Sequence, residues 1–272
     1  MGFFGKLFEK KECNFCGGEI GLLGNRKLED GNMCKNCAAK LSPWFSDRRE
    51  STVEQIREQL EYREANKEKV AVFNTTRTLG QGTKVLLDED AGKFMVTSAR
   101  DLAEANPDVL AFSDVTGCDV DVDEEEREIM RQGKDNKQIS YNPPRYKYYY
   151  YFNVIIHVRN PYFDEIRFRL NSTAVEIDPH SAMAGRPRPG GGMMGGMMRG
   201  NRFNPENNMD YRRYKEMGEE IKEALLMVRQ QARDEMAAAS APKTSVTCPY
   251  CGATTTPDAS GCCEYCGGAV NG

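Results

Sequence analysis

The chain has 272 residues, enough for one large domain or two to three small ones; 39% are hydrophobic, 29% are charged, and the formal net charge is −4. No apolar stretch approaches the ~18–20 residues that cross a bilayer, and two histidines, His157 and His180, leave little material for histidine-based catalysis. Ten cysteines are the unusual component, and eight of them form four Cys-x-x-Cys hooks, two near each end.

In chain order, the opening Met-Gly-Phe-Phe-Gly-Lys-Leu-Phe has neither a long apolar region nor a small-residue cleavage site, so no export leader is expected. Lys6 breaks the myristoylation pattern. Phe3, Phe4, Leu7 and Phe8, interleaved with Lys6, Lys10 and Lys11, have the composition of a short interfacial helix. The first hooks follow: Cys13 and Cys16, seventeen intervening residues, then Cys34 and Cys37. Two thiolate hooks at such a spacing suit one tetrahedral ion, with metal–sulfur distances near ~2.3 Å. Four thiolates leave no open position, which marks a structural rather than a hydrolytic site. Residues 1–45 are therefore expected to be a four-cysteine zinc finger. Iron uses the same ligands and stays open; disulfides would need an oxidising compartment, which nothing in the sequence suggests.

Residues 46–69 read as a connecting helix. Ser51 and Glu54 have the spacing of a capping box, and Val53, Ile56 and Leu60 form a narrow apolar stripe. From 70 the pattern turns to strands. Residues 70–73 are the first candidate; 83–87 and 93–97 flank a turn at 88–92; 109–115 and 118–122 suggest a further pair. Residues 148–158 are the clearest strand. Alternation puts Tyr148, Tyr150, Phe152, Val154, Ile156 and Val158 on one face, and Tyr149, Tyr151, Asn153, Ile155 and His157 on the other. The turn at 160–163 leads to a returning strand, 164–170, with Ile166, Phe168 and Leu170 facing inward. The tyrosines suit a pleated, half-buried surface better than a ligand-stacking platform. Cys118 reads as a small core residue rather than a reactive thiol.

Residues 184–203, rich in Gly, Met and Arg, read as a flexible surface loop. A long helix is expected over 205–238, with Asn204 and Pro205 at its start and Tyr214, Met217, Ile221, Leu225, Val228 and Ala232 on one apolar face. Residues 239–247 form a linker to a last module, 248–272. That module carries Cys248, Cys251, Cys263 and Cys266, with eleven residues between its hooks. Cys262 adjoins Cys263 and competes for the same place, but the two-residue spacing to Cys266 favours Cys263. Gly17, Gly252 and Gly267 follow hooks, where a residue tolerant of positive φ is useful. Asp119-x-Asp121-x-Asp123 lacks the glycine a calcium loop needs, since Glu124 stands there. Gly80-x-Gly82-Thr-Lys84 leads into a strand and lacks the full phosphate-loop spacing.

Residues 13–46, with Cys-Asn-Phe-Cys-Gly, Leu23-Gly-Asn-Arg-Lys-Leu28 and Cys-Lys-Asn-Cys followed by Leu41, resemble the four-cysteine finger of domain of unknown function family 4428. The resemblance implies zinc and a bacterial origin but no activity. Residues 248–267 resemble a zinc ribbon of the Cys-Pro-x-Cys-Gly type. The stretch Lys84-Val-Leu-Leu-Asp-Glu-Asp-Ala-Gly-Lys-Phe, residues 109–115, the aromatic strand and residues 216–228 resemble a bacterial pleckstrin-homology-like domain. That resemblance implies an α+β chain whose residues 70–238 form an antiparallel β-barrel or sandwich closed by a C-terminal helix. The functional expectation is a cytoplasmic, non-enzymatic adaptor with two structural zinc ions that binds protein partners. Nucleic-acid binding through the ribbon and the arginine-bearing loop is the first alternative; the acidic balance opposes it. Peripheral membrane contact through the N-terminal segment is the second.

Overall fold

The computed structural model describes residues 11–180, 204–240, 245–257 and 261–270. The expected interfacial segment before Lys11, the Gly/Met/Arg loop at 184–203 and the middle of the expected linker lie outside the described residues. The chain divides into two compact units, Met1–Arg229 and Gln230–Gly272.

The first unit opens with two small hairpins. Strand β1 (Lys11–Glu12) pairs with β2 (Glu19–Ile20), and β3 (Arg26–Lys27) pairs with β4 (Asn32–Met33), both antiparallel. A single helical turn follows, α1 (Lys35–Ala38). Their core is Ile20, Leu28, Met33 and Leu41 together with Cys13 and Cys37.

Helix α2 (Val53–Ala71) completes that core, because Ile56 is buried in it and Val53 and Leu60 pack against it. The cap is one residue later than the sequence suggests. Thr52 accepts from the Gln55 amide, and the Gln55 side chain reaches back to the Thr52 amide. Two overlapping sequences, Ser51-x-x-Glu54 and Thr52-x-x-Gln55, both satisfy the capping pattern. The Ser51 hydroxyl is instead turned to the carbonyl of Asp47. The helix also runs through Val70, so the strand expected at 70–73 is absent. Val70 is buried with Leu86, Met95 and Val109, apolar partners a helix end reaches as readily as a strand.

The buried stripe of α2 is Ile56, Gln59, Arg63, Asn66 and Val70, at helical spacing but polar in its middle three positions. Arg63 forms an ion pair with Asp108 at 2.7 Å, and both side chains are almost wholly buried. Ser42 donates to the other Asp108 oxygen at 2.8 Å, and Arg63 also donates to the carbonyls of Lys40 and Asn106. Asn66 donates to Asn106 Oδ1 and the Pro107 carbonyl and accepts from the Val109 amide. Burial pushes the Asp108 carboxyl up, against the opposing pull of Arg63 and Ser42. This network joins the cysteine module, α2 and the loop after helix α3 (Leu102–Ala105).

The first sheet runs β5 (Arg77–Gly80), β6 (Lys84–Asp88), β7 (Lys93–Thr97), β8 (Leu110–Ala111), all antiparallel. Asp88 shapes the β6–β7 turn: its carboxylate accepts from the amides of Asn74 and Ala91. The pairing expected between 109–115 and 118–122 does not form. A 3-10 turn at Phe112–Asp114 redirects the chain, leaving β8 beside β7.

Strand β9 (Val115–Glu128) starts the second sheet, followed by a small hairpin of β10 (Met130–Gln132) and β11 (Gln138–Ser140). Strand β12 (Tyr146–Val158) is central, with β9 along one side and β13 (Glu165–Arg169) and β14 (Val175–Ile177) sharing the other. Asn171 fills the gap between β13 and β14. Its side chain accepts from the Phe152 amide and donates to the Tyr150 and Thr173 carbonyls, substituting for a ladder rung. Among the described residues the sheets do not close into the expected barrel; two separate four-stranded antiparallel sheets remain.

Helix α4 (Met209–Ser240) begins after a 3-10 turn at Pro205–Asn207, with Asn208 accepting from the amides of Asp210 and Tyr211. Ile221, Ala224, Leu225 and Val228 are its buried face. Tyr211 meets Tyr150 and Phe152 edge-on, and Tyr214 stacks on Phe152. The inner aromatic face of β12 is therefore covered by α4. In the second unit, β15 (Val246–Thr247) pairs with β16 (Thr254–Thr255) over a core of Cys248, Cys263 and Val270.

Candidate metal centres

Three of the four hooks share one backbone turn. The Cys13 amide donates to the Gly18 carbonyl and the Gly17 amide to the Cys13 carbonyl. Cys248 repeats this with Ala253 and Gly252, and Cys263 with Gly268 and Gly267. The turn requires a left-handed residue, and Gly17, Gly252 and Gly267 supply it at φ +67°, +74° and +70°. The fourth hook is built differently: Cys34 caps α1, its sulfur accepting from the Cys37 amide at 3.4 Å. Local sequence thus sets both hook types, a Gly turn in three and a helix start in one.

The turns bring each quartet together. Cys13, Cys16, Cys34 and Cys37 place their sulfurs within 4.8 Å of one another, and so do Cys248, Cys251, Cys263 and Cys266. A tetrahedral ion with bonds of ~2.3 Å spaces its thiolates ~3.8 Å apart. The observed separations are 3.8 Å for Cys16–Cys34, 3.6 Å for Cys248–Cys266 and 3.8 Å for Cys251–Cys263. Both quartets can hold a metal ion. Cys262 lies outside the second quartet, bridged to Ala269, so the spacing argument and the geometry select the same sulfur.

Electrostatics points the same way. Burial raises the Cys13 thiol, but the amides of Cys34, Phe15 and Cys16 outweigh it and bring it to about 6. Burial and the neighbouring thiols push Cys37 up instead. Cys263 is drawn down to about 6, the amides of Tyr265 and Cys266 outweighing desolvation. At Cys266 the Gly268 amide lowers the thiol, yet sharing with Cys251 and Cys248 pushes it up to about 12. The first quartet therefore has one sulfur prepared as an anion, Cys13, the second has two, Cys248 and Cys263, and each has one that keeps its proton, Cys37 or Cys266. Four thiolates this close require a cation to be ionised together, and a divalent ion displaces those protons. Bound there, the ion would supply a cross-link between two hooks.

The other candidate residues stand apart from these centres. Cys118 is buried on β9, and burial followed by Asp119 pushes its thiol up to about 12, against reactivity near neutral pH. His157 pairs with Asp119 at 3.2 Å. Asp119, Asp121 and Asp123 share the exposed face of β9, and Asp123 accepts from Asn153. The outer tyrosines are covered by cations: Arg127 sits 4.7 Å from the Tyr149 ring and Arg169 4.2 Å from Tyr151. Two arrangements escape sequence reading. One is the buried Arg63–Asp108 network; the other is a set of cations around the first quartet, scattered in sequence between positions 26 and 49.

No helix of the described residues is long and apolar enough to cross a membrane. Residues 11–59 match a family model described as a domain of unknown function (DUF4428). The match spans the first quartet and the N-terminal part of α2. No curated protein and no solved structure matches the chain.

Proposed function

We propose that the chain is a non-enzymatic bacterial adaptor in which two structural zinc ions staple the ends of a pleckstrin-homology-like core, and that it binds protein partners in the cytoplasm. The observation that carries this reading is the pair of four-sulfur clusters with near-tetrahedral spacing. Four thiolates fill every position of a tetrahedral ion, so the metal folds the module and leaves no place for a substrate. Zinc is preferred to iron because it is redox-inert and suits closed thiolate sites. The pleckstrin-homology-like reading is supported by two small antiparallel sheets with α4 packed through Tyr211 and Tyr214 onto β12. Within that arrangement the exposed β9 edge and the hook surfaces are left for partners.

Metal analysis of the purified full chain tests the first part. Two zinc ions per chain are expected, falling to one in Cys16→Ser and to one in Cys251→Ser. Iron in their place, or a value far below two, would refute the zinc reading. Affinity capture with the intact chain, using the two serine variants as controls, tests the adaptor role. A defined protein captured by the intact chain and lost in one variant is the expected result; a turnover activity in the purified chain would count against it.

A further inference from the structure

Two adjoining cavities open on the cysteine module, of about 360 and 610 Å³, and both have Arg26 and Arg48 in their walls. Lys35, Leu41 and Phe45 complete the smaller one, and Lys27, Arg49 and Glu29 border the larger. Five cations thus line a cleft made of these two cavities, which share Arg26 and Arg48 and have a single carboxylate, Glu29, in their walls. None of the five forms an ion pair among the described residues. Arg26 donates to the carbonyls of Leu23 and Asn25, and Arg48 to that of Lys27, so both guanidiniums are held by backbone rather than by acids. Such a concentration is notable in a chain of net charge −4. Burial, then Arg49 and Arg26, hold the Arg48 guanidinium below its ordinary value, as expected of unneutralised neighbours.

We propose that this cleft binds a phosphate-bearing anion. Several unneutralised cations gathered around one concavity call for a ligand of more than one negative charge. Guanidinium forks match the oxygens of a phosphate two at a time. Leu41 and Phe45 give the smaller cavity an apolar wall for the organic part of such a ligand. The volumes lie in the range of small-molecule sites, roughly 300–1,000 Å³. The phosphate has two possible sources, a free compound or a lipid headgroup. The second is raised by Leu22 and Leu23, which are 79% and 89% exposed in the turn just before β3 and Arg26.

The test uses the metal-loaded full chain. Inorganic pyrophosphate is titrated by calorimetry, and binding to phosphatidylcholine vesicles with and without phosphatidylglycerol is measured by co-sedimentation. Binding to at least one probe is expected, weakening as salt rises. Arg26→Gln with Arg48→Gln should weaken it about tenfold or more, the loss of charge-assisted bidentate contacts. Because Arg48 also supports the fold, Lys35→Gln with Arg49→Gln is the second variant; these exposed cations should cost about threefold or more through lost attraction. Metal content and melting temperature should be unchanged in the second pair. Saturable pyrophosphate binding assigns the cleft to a free phosphate compound. Vesicle binding alone, lost in the cation variants and weakened by Leu22→Ser with Leu23→Ser, assigns it to a headgroup. No binding to either probe, binding that survives both cation pairs, or equal affinity for a glutamate peptide of matching charge would overturn the proposal.

Discussion

At the scale of single residues, the polar positions in the buried stripe of α2 carry opposite consequences. Asn66 is fully buried and satisfied by three bonds, to Asn106, Pro107 and Val109. Gln59 is equally buried, yet neither its Nε2 nor its Oε1 has a hydrogen-bond partner among the described residues. A buried unpaired polar group costs ~1–3 kcal/mol, and removing one partner of a made bond leaves the other orphaned at similar cost. Asn66→Ala should therefore destabilise the chain by about 3 kcal/mol or more, since it orphans several groups at once. Gln59→Met, close in volume, should be neutral or stabilising by about 1 kcal/mol. Urea unfolding with α2 helicity as the probe separates the two. A Gln59→Met variant as damaged as Asn66→Ala would show that the glutamine amide is satisfied in solution.

At the scale of elements, the docking of α4 includes one close approach. A Cβ on Gly218 would lie 2.8 Å from Val120 Cγ1 and 3.4 Å from Leu170 Cδ1, and valine has little freedom to turn away. Gly218→Ala gains about 1 kcal/mol of helix propensity but overpacks the contact with β9 at ~1–3 kcal/mol, for a net loss of about 0–2 kcal/mol. Val120→Ala in the same chain should recover most of that loss, giving a coupling energy of about 1 kcal/mol in the double-mutant cycle. Strict additivity would mean that α4 is not held on β9. The same elements show what sequence can and cannot reveal. The apolar face of α4 and the alternation of β12 are readable because burial there follows apolarity, as in Ile221, Leu225, Phe152 and Val154. The hooks are readable because thiolate spacing is itself the chemistry. Strand β9 is not, because six charged residues from Asp123 to Glu128 hide its second half. An edge strand tolerates charge and is protected by it, so propensity alone mistakes it for a loop. The middle of α2 is missed for the complementary reason: Gln59, Arg63 and Asn66 are buried although polar. Burial there depends on Asp108 and Asn106, more than forty positions away from Arg63 in sequence, which no local pattern contains.

At the scale of the molecule, the two metal centres are embedded differently, and metal removal should expose this. In the second unit the apolar core is Cys248, Cys263 and Val270 with Val246 against them, so two of its three buried apolar residues belong to the metal quartet. Little else holds that segment, and chelation should abolish its amide protection completely. The first quartet shares its core with Ile56 of α2, and α2 is anchored a second time by Arg63–Asp108 and Asn66. Chelation there should free the hooks while α2 keeps protection from about Gln59 onward. Asp108→Asn makes the distinction decisive, because breaking a buried ion pair costs about 3–5 kcal/mol and removes the second anchor. In that variant α2 should stay protected with metal bound and lose protection with chelator, while β12 amides remain slow in both states. Hydrogen exchange with and without chelator, on the wild-type and Asp108→Asn chains, measures all of these at once. Equal protection of α2 in the chelated variant and the chelated wild type would remove the case for the buried pair as the second anchor. It would leave the hydrogen bonds of Asn66, which Asn66→Ala in the same experiment would then be expected to abolish.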